Sequence, residues 1–414
     1  MGNHSTHQKT KKNKNNNKSK NISNKSQNLS NNNDYNNISD KNYNNNNKSD
    51  SPYIISNNDI NNIKINHSIK NDELAINQSF ENTNNTKDIN IEFVKDLAKD
   101  SYAYFILENT FTIFKSINDI LYLIYSNENK SIISYDLQEN KKINEIKNAH
   151  TSFITNFKYY FDKINIRDII LSISCRNNNI KLWNAETFEC ILNMKSSEYN
   201  LTYSACLFEN NNQNYIVVGI YSNNKEFLKI YDLQGNEIRQ LPESKNEVYF
   251  VCVYCDKLNK NYIISGNLNH IDSFDYNSNK IYKKYYDNLS SNGAHNSIII
   301  SEENITKLIE SCTDGNIRIW NFHSAELLLK ITVDDDKIFS IFLWKNKYLF
   351  VGCRNTNIII LDLNKKQIIK KIKGHDNFVL CIKKINHPKL GECFISQGYE
   401  NEKIKLWKIK EIKE

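Results

Sequence analysis

From about Ser101 to the C-terminus, apolar runs of five to eight residues alternate with polar breaks, and the runs are rich in Ile, Tyr, Phe and Val. Examples are ILYLIYS, NYIVVGIY, KYLFVGC and ECFISQGY. Runs of this length and β-branched or aromatic content predict buried strands rather than helices. The pattern ahead of them differs. Residues 1–50 hold 18 asparagines and almost no apolar residue. Such a stretch cannot bury enough surface to offset the entropy of ordering, so it is expected to be disordered. Isoleucines appear from Pro52 to about Asp88 without a sustained period, and IEFVKDLAK (Ile91 to Lys99) reads as a short helix. This divides the chain into a tail, 1–100, and a strand-rich domain, 101–414.

The strand-rich part repeats itself. IKLWNAETFECI begins at Ile180, LKIYDLQGNEI at Leu228, IRIWNFHSAELL at Ile317, IIILDLNKKQII at Ile358 and IKLWKIKEI at Ile404. SIISYDLQENKKI from Ser131 and HIDSFDYNSNKI from His270 are weaker copies. One position is thus occupied in turn by Tyr135, Trp183, Tyr231, Phe274, Trp320, Leu361 and Trp407, at intervals of 48, 48, 43, 46, 41 and 46 residues.

Seven copies at that period, each with about four strand-length segments, resemble the WD40 repeat family. The pairs Ala149-His150, Ala294-His295 and Gly374-His375 ahead of first strands agree with it. The resemblance implies an all-β, seven-bladed WD40-type β-propeller, preceded by the Asn/Lys-rich tail. One four-stranded blade cannot bury both of its faces, and stacking neighbours around an axis supplies the core. Only seven residues follow Trp407, too few for a full outer strand, so a strand near Ser101 to Glu108 (SYAYFILE) is expected to complete the last blade and close the ring. In the fifth copy, His295, Ser311 (or Thr313), Asp314 and Trp320 match the hydrogen-bonded tetrad that staples a family blade. Asn177 and Asn355 replace that aspartate elsewhere, so those blades should be held more by packing. Partners of such propellers dock on the rim formed by the loops between second and third strands and the starts of first strands. Carried over by repeat position, that rim holds Arg176, Thr313, Arg354, Tyr399 and Glu400. Phe153 and Phe378 either stand beside them facing a partner or fill gaps between blades.

Composition narrows the chemistry. Gly (10) and Pro (3) are scarce, so turns must be made by Asn, Asp and Ser. Nine cysteines, all between Cys175 and Cys393, lie in apolar runs and read as reduced, buried thiols. Cys252 and Cys255 form a CxxC within a strand-like run, where residues three apart point to opposite faces, so no metal site is expected. His150, His295 and His375 occupy the repeat position, and His270 and His387 fall in turns. Neither a nucleophile elbow nor a phosphate-binding glycine loop occurs. Asp334, Asp335 and Asp336 lie between strands and read as solvated. No catalysis and no cofactor is expected. No run of 18 apolar residues occurs, so no membrane-spanning helix is expected.

The net charge of +7 is carried by seven lysines in residues 1–33 (Lys9, Lys11, Lys12, Lys14, Lys18, Lys20 and Lys25), with no acid among them. The rest of the chain sums to zero, which gives no reason to expect a nucleic-acid partner. Gly2 is the only glycine in the first 218 residues, and Met1-Gly2-Asn3-His4-Ser5-Thr6 satisfies the N-myristoylation pattern. One acyl chain binds membranes marginally, and the lysines would supply the second signal at an anionic leaflet. The sequence therefore predicts a non-catalytic, monomeric scaffold, peripheral on the cytoplasmic face of a membrane and binding other proteins by its rim. The alternative is a soluble adaptor, such as a ubiquitin-ligase substrate receptor or a trafficking-complex subunit.

Overall fold

The computed structural model describes residues 89–411, apart from 104–108, 175–178, 196–200, 223–224, 243–247, 268, 288–292 and 335. Gly2, the seven lysines, Cys175, Arg176, Asn177 and Asp335 lie outside the described residues.

The described residues form seven four-stranded antiparallel sheets and no helix. Sheets 1 to 6 are each built from four consecutive strands, beginning at Phe111, Ile154, Leu201, Phe250, Ala294 and Ile338. The innermost strand of each sheet packs on the next sheet, and Phe111–Lys115 of blade 1 meets Val379–His387 of blade 7 to close the ring. The fold is a seven-bladed β-propeller.

Packing explains the sequence texture. Seven apolar clusters fill the seven spaces between neighbouring blades. Second strands are pressed from both sides, which is why Leu121–Ser126, Asn261–Gly266 and Tyr348–Cys353 are buried at every residue and read as unbroken apolar runs. Outer strands meet water, and Lys141–Ile146 (KKINEI) is correspondingly polar.

The repeat position has one structural meaning in all seven blades. Each of its residues lies opposite an apolar residue of the second strand, as Trp183 does Ile170 and Trp407 does Phe394. Next to it, the pairing with the outer strand slips by one residue in every blade. The following residue is Asp or Asn in six copies (Asp136, Asn184, Asp232, Asp275, Asn321, Asp362). Its side-chain oxygen accepts the backbone N–H groups of the next turn. Asn and Asp thus do the turning that glycine does in other sheets. Left-handed φ values at Asn140, Asn211, Asn212, Asn259, Asn279 and Asn346 show the same substitution.

Three expectations need correction. Ring closure is made by Ile89–Asp96, which pairs with Ile404–Glu411 as the outer strand of blade 7. This segment was expected to be a helix, and Ser101–Glu108 was expected to be the closing strand. Ser101 to Ala103 instead form a connector, with Ala103 bridging Glu400, and 104–108 lie outside the described residues. Second, not every thiol is buried: Cys190 and Cys255 are exposed and Cys252 is half-buried, while Cys206, Cys312, Cys353, Cys381 and Cys393 are buried. Third, Asp334 is buried and accepts hydrogen bonds or charge from Asn355 and Lys371, and His387 ends a strand, buried, with Nε2 3.1 Å from Leu137 O.

Candidate functional site

Two polar networks fix the starts of the innermost strands. In blade 7, Trp407 Nε1 donates to Ser396 Oγ at 2.8 Å, and Ser396 Oγ lies 2.8 Å from His375 Nε2. His375 Nδ1 faces Glu402 Oε2 at 3.2 Å. An ionised carboxylate only accepts, so Glu402 favours the histidine proton on Nδ1, which leaves Nε2 to accept from the serine hydroxyl. Blade 2 repeats the Trp–Ser–His part of it, with Ser172 Oγ 2.8 Å from Trp183 Nε1 and 2.7 Å from His150 Nε2. Burial lowers the pKa of His150 to about 3 and also depresses that of His375, which keeps both rings neutral.

Blade 5, where the tetrad was expected, lacks it. Trp320 lies opposite Leu308, so the place of Ser172 and Ser396 falls to Glu310, not to Ser311. Ser311 is on the other face and its Oγ reaches only Asn296 O at 3.5 Å. His295 Nε2 makes no hydrogen bond, and Trp320 Nε1 has the Glu310 carboxyl nearby but no acceptor in hydrogen-bonding distance. A buried charge cluster takes over. Arg318, 1% exposed, pairs with Asp287 at 2.8 Å and with Asp314, and lies 3.7 Å from Glu310. Lys330 also reaches Asp287, at 2.9 Å. Burial raises the Glu310 pKa to about 7, against the pull of Arg318.

Above these networks lies an aromatic rim. Phe378, just before the innermost strand of blade 7, stacks on Tyr399 with ring centroids 5.6 Å apart. The Arg354 guanidinium lies 5.1 Å from the Phe378 centroid. Phe339 of blade 6 joins them at 6.2 Å, His295 packs on Phe339 at 5.6 Å, and Tyr249 on His295 at 5.1 Å. Phe339, Leu380 and Ala103 form the buried floor under the half-buried Phe378 and Tyr399. Across the bridge, Ala103 and Glu400 exchange backbone hydrogen bonds at 3.0 and 2.8 Å. Tyr102 then leads to Phe153 at 5.0 Å, and Lys130 lies 5.7 Å from the Phe153 centroid.

Of the expected rim residues, Arg354, Phe378, Tyr399 and Glu400 therefore meet in one cluster, and Phe153 is joined to it through Tyr102 and Ala103. Thr313 stands apart in blade 5, its N–H on Gly293 O at 3.0 Å. Sequence reasoning missed Phe339, Tyr102 and Tyr249. Phe339 was findable, because it is the extra residue at the start of its innermost strand, the bulge position that His295 fills in blade 5. Among the described residues no group of three His, Cys, Asp or Glu side chains could hold a metal ion. A half-buried aromatic surface edged by an arginine is what protein-binding hot spots are made of. The fold is that of a seven-bladed β-propeller, and it fits a protein-interaction scaffold. No protein family matches the sequence, and no curated protein is similar to it at a significant level.

Proposed function

We propose that this protein is a WD40-type scaffold without catalytic activity, held at the cytoplasmic face of a membrane by an acylated Gly2 and the lysines behind it. The observation that carries the binding half of this reading is the Arg354–Phe378–Tyr399 stack, with Glu400 exposed beside it. Arg354 has 40% of its side chain exposed, and besides the Phe378 ring it meets Asp336 only at 3.7 Å. A partner can cover both the guanidinium and the rings without breaking the fold. The anchoring half rests on the sequence: an acyl-acceptor glycine followed by a basic stretch without acids.

The test is comparative capture of partners from cells. Wild type, Phe378→Ala and Arg354→Ala baits should share most background proteins. The reading expects a defined set of proteins retained by wild type and lost from both variants, at unchanged thermal midpoint for Arg354→Ala. Identical sets from all three baits would contradict it.

A further inference from the structure

The opposite rim carries the turns between innermost and second strands, and three of them present four aliphatic side chains to solvent. Ile117 in blade 1, Ile164 and Ile166 in blade 2, and Leu258 in blade 4 are 48%, 46%, 69% and 87% exposed. Most other exposed large hydrophobics lie on outer strands around the circumference, among them Phe93, Ile143, Ile238 and Leu328. The blade 2 and blade 4 tips flank one cleft of about 560 Å³, since Lys163 and Asn259 both line it, over the Asn210 to Asn212 turn of blade 3.

These tips are held out rather than loosely exposed. Asp162 Oδ1 accepts the N–H groups of Ile164 and Asn165 at 3.2 and 3.1 Å, and Asp256 Oδ1 those of Leu258 and Lys260 at 2.8 and 2.9 Å. Ile166 sits at φ 49°, a left-handed conformation that a β-branched residue adopts only at a cost. Elsewhere among the described residues Asn is the commonest residue at such positions, and Ile166 is the one isoleucine. An isoleucine that is both strained and in water serves neither folding preference, which points to a role outside the fold.

The rim's cations are mostly spoken for. Lys115 pairs with Asp119, Lys260 with Asp275 and Lys345 with Glu411, at 2.8, 2.8 and 2.6 Å. Apolar insertion rather than charge would dominate any contact here. What lies against this rim is indicated by where the chain enters it. Ile89 pairs with Glu411, and Glu411 is bound by Lys345 of the blade 6 turn on this same rim. Ile89, the first described residue, therefore lies on this side of the propeller.

We infer that this rim is a membrane-contact surface, with Ile117, Ile164, Ile166 and Leu258 entering the interfacial layer of the bilayer that carries the tail. The inference rests on the anchored reading above. A tethered face is held at high effective concentration, so a few aliphatic tips suffice where a free protein would dissociate.

The test uses full-length Leu258→Trp protein, prepared with and without the acyl group at Gly2, and phosphatidylcholine/phosphatidylserine vesicles with brominated acyl chains. The four native tryptophans are at most 7% exposed, so the introduced indole carries the quenching. The inference predicts quenching of vesicle-bound protein, and an affinity about tenfold lower when Ile164 and Ile166 are changed to Ser. Acylated protein that binds vesicles with its indole unquenched would overturn this inference and leave the tail anchor standing. The tips would then suit a protein interface. Quenching at high lipid that acylation does not improve would support the rim contact and contradict the tail anchor. Absence of quenching in every preparation overturns the rim contact.

Discussion

Phe93 and Trp407 lie opposite each other in the sheet of blade 7, their rings edge to face with centroids 5.4 Å apart. One belongs to the first strand of the propeller and the other to the last, so this pair joins the two ends of the ring. Blade 7 has no other outer strand, and its cluster with blade 6 includes Ile89, 3% exposed. Ile89→Asp puts a charge in that cluster and should destabilise the protein by about 3 kcal/mol. Tyr102→Ala, in the connector, should cost about 1 kcal/mol. Urea denaturation midpoints check the order; the reverse order would mean that the ring closes elsewhere.

The relocation of the polar network makes a sharper prediction. Ser172→Ala or Ser396→Ala leaves an indole N–H and a histidine nitrogen buried without their shared partner, and should cost about 1–3 kcal/mol each. Ser311→Ala, although equally buried, should lie within about 0.5 kcal/mol of wild type. The same denaturation series tests all three, and a large loss at Ser311 would contradict the assignment of Glu310 to the serine's place.

The phase of the repeats was legible because it is written in two adjacent positions: an aromatic or large apolar residue followed by Asp or Asn that caps the next turn. The closing strand was not legible. Ile89–Asp96 is an outer strand with Ile89 and Ile91 on the blade 6 side, Val94 on the blade 1 side and a register slip between them, so it lacks clean alternation. Ile91, Val94 and Ala98 happen to fall at helical spacing. The tetrad was misplaced by a single residue, because composition favours a serine where register demands Glu310. A one-residue shift along a strand exchanges its faces, and register is set by the partner strand rather than by the residue itself. On the rim, the repeat offsets located Arg354, Phe378 and Tyr399, but Tyr102 reaches Phe153 through a connector that belongs to no repeat.

Glu310 gives blade 5 a pH response of its own. Its folded pKa of about 7 lies above the usual carboxylate value, so the folded state holds its proton more tightly than the unfolded state. The stability it contributes is present at low pH and is lost as pH rises from about 4.5 to about 7. His150 and His295, depressed by burial to about 3 and about 4, act in the opposite sense, losing stability as pH falls below about 6.5. The contribution of Glu310 is therefore read as a difference. The stability of wild type minus that of Glu310→Gln should fall between pH 5 and pH 8, on the order of 1–3 kcal/mol. A difference that is flat with pH would show that Glu310 keeps an ordinary pKa.

The account as a whole depends on the protein being held at a membrane, and one substitution tests that most directly. Wild type and Gly2→Ala should be expressed at equal level and fractionated without detergent. The account predicts wild type in the membrane fraction and Gly2→Ala largely in the supernatant, with the propeller of both equally stable. Equal partition of the two proteins would contradict it.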